Sequence, residues 1–257
     1  MTISPTATLA TPVRPAIDHV TAMRLAADEY ARLAEALADL GAEDWSRPTA
    51  CPDWDVRQVA CHAVGMAAMS CSPWETIRQQ AKATRRARTH GVDALTALTA
   101  LQVEERADWS PARIVAEARR VGPKARRGRR AIPAPVRRRT LPQVQHVDGV
   151  PERWTVGFLN DVILTRDPWM HRMDVARATG RDPVLTADHD GTIVADVVLE
   201  WAARHGAAYS LTLSGPAGGS WSRGDGGESI DLDAVEFCRV VAGRGQGDGL
   251  LAVQVPF

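Results

Sequence analysis

Between Trp154 and Ala176 an apolar pattern of Trp154, Val156, Leu159, Val162, Ile163, Met170, Met173, Val175 and Ala176 recurs at roughly the spacing of a helix with one buried side. Asp167 and His171 lie inside that pattern, one turn apart, and so share a helix face. A carboxylate oxygen and an imidazole nitrogen placed this way can grip one divalent metal, and zinc accepts both at ~2.0–2.2 Å. Two ligands do not make a site, so a third must come from another element. Pro168 removes one backbone N–H and is expected to bend this helix, or to mark a second start, beside the supposed ligands.

The rest of the chain supplies helices to pack against it. Val20, Met23, Leu25, Ala27, Tyr30, Leu33, Leu37 and Leu40 predict a first helix over Ile17–Leu40, ended by Gly41, after a mobile lead-in of residues 1–15. A loop with two prolines and two tryptophans, Trp45 to Trp54, follows. Asp55 with Gln58 reads as a capping box, with Trp54 able to staple onto Val59. On the helix that starts there, Val59, His62 and Met66 share a face. A lone histidine is more often a core residue bonded to a carbonyl. If this helix packs against the one carrying Asp167 and His171, however, His62 completes a set with an open fourth position.

Further helical stretches are expected over Ile77–Arg88, Val92–Ala107 and Ser110–Val121, the last with Ser110 as cap and Pro111 at the first helical position. The basic segment from Arg119 to Arg139 is broken by Gly122, Pro123, Pro133 and Pro135 and reads as a solvated connector; no interleaved aromatics favour nucleic acid. Leu141–Val150 leads into the long helix. After Gly180-Arg181 the composition changes. A helix over Asp188–His205, strands at Tyr209–Leu213 and Ser229–Leu232, a helix over Asp233–Val241 and a last strand at Leu250–Val255 predict a smaller α+β domain, residues 182–257, behind a helical domain of residues 16–181.

Composition narrows the class. The 257 residues are 45% hydrophobic and 24% charged, as in an ordinary globular protein, and 31 Lys plus Arg balance 31 Asp plus Glu. The overall field therefore gives no reason to expect nucleic acid or an anionic membrane as partner. No stretch approaches ~18 uninterrupted apolar residues, and no secretory leader is present, so a cytoplasmic protein is expected. Cys51, Cys61, Cys71 and Cys238 form no C-x-x-C pair and read as free thiols in a reducing compartment.

Three stretches together, P-T-x-C-P-D-W-D-V…H around His62, R-D-P-W-M-H-R-M-D-V-A-R-A-T-G-R, and D-A-V-E-F-C-R-V-V-A-G-R…G-L-L-A-V-Q-V-P-F, resemble the mycothiol-dependent maleylpyruvate isomerase family of DinB-like metalloenzymes. The resemblance spans nearly the whole chain. It implies a mostly α fold, with an N-terminal DinB-like four-helix bundle and a smaller C-terminal α+β domain. It also implies one zinc held by His62, Asp167 and His171, the set the residues themselves suggest. The family pattern has Glu where this chain has Asp167, a shorter carboxylate that would draw a metal nearer the helix. Arg244 matches an arginine that the family uses to hold an anionic substrate.

In such a site a thiol arriving as fourth ligand is held as thiolate. The expected function is thus a mycothiol-using isomerase or S-transferase acting, as a monomer, on a small electrophile. A thiol-independent metal hydrolase or lyase and a non-catalytic binding protein are the alternatives. Arg172 and Asp174 are expected to form ion pairs or to orient the ligands, Trp54 and Trp169 to pack near the metal, and Cys61 to face about 100° away from His62.

Overall fold

The computed structural model describes residues 13–257, so most of the expected lead-in lies outside the described residues. Val13 already pairs with the sheet: its N–H donates to Arg153 O at 2.8 Å, and Thr155 N–H donates to Val13 O at 3.0 Å.

Four helices form the bundle, α1 (His19–Ala38), α2 (Val56–Met69), α5 (Pro111–Arg130) and α7 (Leu164–Thr179), with α1 and α2 each packed against both α5 and α7. The first three begin where their sequences demand. Asp18 accepts from Val20 and Thr21 N–H, and Ser110 from Arg113 N–H with Pro111 following. Asp55 and Gln58 form the expected capping box, an arrangement whose cap is worth about 1 kcal/mol. Ala26, Leu33 and Leu37 of α1 meet Val59, Ala63 and Val64 of α2 and Ile114, Val121 and Ala125 of α5 in one apolar cluster. An outlying hairpin of α3 (Pro73–His90) and α4 (Ala94–Glu104) leans on α2.

Two expectations fail here for identifiable reasons. The basic segment is not a connector: α5 continues through Pro123 to Arg130, because Ile114, Ala118, Val121, Ala125 and Arg129 keep one buried face across the proline. One missing N–H is a smaller loss than that face. After the short α6 (Ala134–Arg137), residues expected to lead into a helix form an antiparallel hairpin, β1 (Thr140–Val147) and β2 (Val150–Thr155). Its two-residue turn is Asp148-Gly149, both at positive φ, the strongest short-range hairpin signal a sequence offers. Trp154 consequently lies on a strand. The helical run starts later, with a π-helical turn at Phe158–Ile163 that feeds α7.

The C-terminal part is α+β. Helix α8 (Thr192–His205) covers a three-stranded sheet in the order β4 (Gly219–Arg223), β3 (Tyr209–Ser214), β5 (Glu228–Asp233), with β3 antiparallel to β4 and parallel to β5. Helix α9 (Ala234–Arg239) closes it. The expected last strand at Leu250–Val255 is instead a 3-10 turn, Gly249–Ala252, and an extended tail whose Val255 N–H donates to Val241 O at 2.8 Å. Leu250 O is claimed by Trp201 Nε1 at 2.9 Å, which leaves the segment on α8 rather than at a sheet edge. Trp201, Val197, Leu211 and Phe237 share a core with Leu25 of α1 and Trp169, Met170 and Met173 of α7. Apolar packing is therefore continuous across residue 181. Among the described residues no helix is long and apolar enough to cross a membrane.

The α3–α4 hairpin is pinned by ions. Glu105, just past α4, accepts from Arg78 at 2.7 and 2.8 Å and from Lys82 at 2.7 Å. The Arg78 hydrogen bonds, outweighing burial and joined by Lys82, lower the Glu105 carboxyl to about 2. Its folded value lies below the unfolded ~4.3, so its contribution is complete above that pH and disappears as pH falls toward 2. Glu105→Gln should therefore unfold at lower urea than the parent at pH 7, with the gap closing toward pH 2–3. A gap of constant size over that range would show that the pair contributes nothing.

Candidate metal centre

Helix α2 brings His62, and α7 brings Asp167 and His171, to one point inside the bundle. Asp167 Oδ1 lies 3.4 Å from Nε2 of each histidine, and the three donor atoms are mutually within 4.8 Å. Two donors ~2.0–2.2 Å from one tetrahedral ion sit roughly 3.3–3.6 Å apart, so the two carboxylate–imidazole spacings already suit a zinc-class ion. The imidazole rings meet edge to face, with centroids 5.0 Å apart.

The other nitrogen of each ring decides which nitrogen is left for a metal. His62 Nδ1 is 2.8 Å from Gln102 Oε1. Gln102 Nε2 is directed to Gln79 Oε1 at 2.9 Å, which leaves the Gln102 oxygen to accept from His62. His171 Nδ1 is 3.2 Å from Asp174 Oδ2, which can only accept. Each Nδ1 is thus committed to an acceptor, so Nε2 is the nitrogen of each ring that faces Asp167 and the one a metal would take in exchange for any proton it carries. Gly65 makes room for the first contact: a Cβ there would lie 2.7 Å from Gln102 Cβ.

The charges agree with this geometry. Burial alone would raise the Asp167 carboxyl, but the attraction of His171 and hydrogen bonds from both histidines hold it well below the usual carboxylate range. Burial alone would lower His171, but Asp167 and the hydrogen bond to Asp174 push it well above the ordinary imidazole value. These are the properties of a carboxylate paired with imidazolium, and a divalent ion at the same point would replace the Nε2 protons as the positive partner of Asp167.

Arg244 arrives from the C-terminal part. Its Nε lies 3.1 Å from both oxygens of Asp174, and its Nη2 lies 3.9 Å from Cys51 Sγ. Cys51 Sγ is 3.4 Å from Asp174 Oδ2 and 3.9 Å from His171 Nδ1. Arg244, Asp174, His171 and Cys51 thus form one contact chain beside the donor set. Asp174 orients His171, as expected. Trp54 packs at the centre, its ring 5.2 Å from that of His62. Trp169 does not: fully buried, it donates to Asp190 Oδ1 at 2.9 Å and stacks toward Phe257 on the other side of α7. Cys61 takes no part, as expected. Its Sγ is 3.7 Å from Arg106 O, and burial pushes its thiol up to about 11.

Sequence reasoning missed Gln102 and Cys51. A fully buried glutamine within apolar α4 is a signal in retrospect, and so is the place of Cys51 in the P-T-x-C-P-D-W stretch that leads to His62. A second group of ligand-type side chains, Glu29, His189 and Asp190, is not a comparable centre. Arg172 occupies it, donating to Glu29 at 2.8 and 3.0 Å and to Asp190 at 2.6 Å, the ion pair expected of that arginine.

A helical bundle holding a buried His, Asp, His donor set between two of its helices defines the class. A family model described as the mycothiol maleylpyruvate isomerase N-terminal domain matches residues 26–176, which include all three donors. The chain belongs to that family. Among solved structures it is similar to the crystal structure of the mycothiol-dependent maleylpyruvate isomerase, with 14% identity, a TM-score of 0.55, and coverage of 91% of this chain and 92% of the other. It is also similar to a histidine-to-alanine mutant of that enzyme, with 12% identity, a TM-score of 0.55 and coverage of 89% and 90%. At this identity the likeness is one of fold, and it extends through the C-terminal α+β part. No curated protein matches.

Partners of the ligands should matter nearly as much as the ligands. Asp174→Asn and Gln102→Leu are each expected to weaken divalent-metal binding by roughly 10–100-fold, measured by competition with a chelator. Affinities equal to the parent's would show that neither contact orients its histidine.

Proposed function

We propose that this protein is a divalent-metal enzyme, with zinc as the fitting ion, that uses mycothiol to isomerise a small anionic electrophile of the maleylpyruvate type. The single observation that carries this reading is the convergence of two Nε2 atoms on one largely buried carboxylate, with each Nδ1 committed elsewhere. The family and the names of the similar structures support the thiol and the substrate class.

His62, Asp167 and His171 would hold the ion. When bound, it would supply positive charge that lowers the pKa of an arriving thiol, favouring the nucleophilic thiolate. The protein's own groups do the remainder. Gln102 and Asp174 fix the two rings, and Trp54 covers the His62 face. Arg244, held by its Nε on Asp174, keeps its other guanidinium nitrogens for a substrate carboxylate. Addition of a thiolate across a cis double bond, rotation about the resulting single bond and departure of the thiol return the catalyst unchanged. Retention of the thiol would make the same site an S-transferase.

Elemental analysis of untagged protein should find about one zinc per chain, lost in both His62→Ala and His171→Ala, and cis–trans isomerisation of maleylpyruvate only when mycothiol is added. Metal content indifferent to both substitutions would sink the proposed centre, and full turnover without thiol would transfer it to a water-based hydrolase or lyase. With the metal still bound, Arg244→Ala should raise KM for the anionic substrate roughly tenfold or more, as expected for loss of a charge-assisted contact. An unchanged KM would remove Arg244 from substrate binding.

A further inference from the structure

Arg129 is 1% exposed, and none of its hydrogen bonds goes to a carboxylate. A guanidinium withdrawn from water without a counter-ion is costly, so its acceptors must need it. Three of the four acceptors lie at or just before the start of α7, and the fourth is Tyr30 of α1. Nη1 donates to Leu164 O at 2.8 Å and to the Tyr30 hydroxyl at 3.0 Å. Nη2 donates to Asn160 O at 2.5 Å and to Thr165 Oγ1 at 2.6 Å, and that hydroxyl donates onward to Asp161 O at 3.1 Å.

Leu164 O is the carbonyl that residue 168 would bond in an unbroken helix, and residue 168 is proline. Arg129 supplies the donor that Pro168 lacks. It also ties down the π-helical turn Phe158–Ile163, which holds about one residue more than an α turn. Collapse of that turn would rotate the following residues by about 100°. Asp167, immediately before Pro168, stands on this junction, and its Oδ1 must face two histidines on different helices at once.

We infer that Arg129 is a positioning residue for Asp167, a buried guanidinium that replaces the backbone donor missing at Pro168 and so fixes the direction of the carboxylate donor. The inference rests on the proposed metal centre, and one set of proteins separates the two. Zinc affinity, by competition with a chromogenic chelator, and the visible spectrum of the cobalt-loaded protein are compared for the parent, His62→Ala, Arg129→Met, Arg129→Lys and Arg129→Met combined with Pro168→Ala. Circular dichroism verifies folding. The parent should bind one equivalent and His62→Ala should not. Arg129→Met should bind roughly 10–100-fold more weakly with an altered cobalt spectrum, and Arg129→Lys should fall between. Adding Pro168→Ala to Arg129→Met should recover part of the affinity, because the new N–H can reach Leu164 O.

If Arg129→Met does not fold, Arg129→Lys and its combination with Pro168→Ala carry the same comparison. A parent that takes up no metal overturns the centre, and this inference with it. A parent that binds normally beside a folded Arg129 variant of equal affinity and spectrum overturns the role of Arg129 alone. So does a loss that Pro168→Ala leaves unrepaired.

Discussion

Helix α7 is buried on nearly every side, although much of it is polar. From Leu164 to Val175 only Asp167 is not fully buried, and that stretch includes Thr165, Arg166, His171, Arg172 and Asp174. A buried charge without a partner costs several kcal/mol, so each of these groups must meet its complement on another element. Arg166 meets Asp196 and Glu200 on α8, at 2.6 and 2.7 Å. Arg172 meets Glu29 on α1, Asp167 meets His62 on α2, and Asp174 meets Arg244 beyond α9. Only one rotation and one height of α7 satisfy all of them together.

The donor set follows from that constraint. Apolar packing alone tolerates small rotations and slides, because Leu, Met and Val contacts are non-directional. Hydrogen-bonded ions are not so tolerant, and they act here from four directions. The same helix also presents Trp169, Met170 and Met173 to the core shared with α8 and the sheet. Helix α7 thus joins the bundle to the α+β part by apolar contact on one side and by Arg166 and Arg172 on the others, with Leu25 and Arg32 of α1 beside it.

The sequence made half of this site legible. Asp167 and His171 announce themselves because helical periodicity is a local property, and the capping box at Asp55 locates the start of the helix that carries His62. The partners of the histidines are not local. Gln102 meets His62 only because α4 folds back over Gly65, and Arg129 meets Leu164 only because α5 continues through a proline that local rules treat as a break. The hairpin at Asp148-Gly149 was readable, but it stands just before the helical pattern that begins at Trp154, and its second strand claims the first residues of that pattern. The C-terminal tail resembles a strand in propensity, yet no sheet edge is there to receive it. Periodicity thus located the candidate donors, while tertiary contacts decided what orients them.

Full commitment of α7 restricts how such a site can diversify. A substitution on that helix disturbs a buried pair and a packing layer at once, so it risks the fold along with the chemistry. The surroundings of the centre that come from outside the bundle helices are freer: the Trp45–Trp54 loop contributes Cys51 and Trp54, and the chain after α9 contributes Arg244. Lineages sharing this fold can therefore exchange substrates by rewriting those two segments while inheriting α7 almost intact, and divergence in specificity should be concentrated far from the helix in sequence but next to it in space.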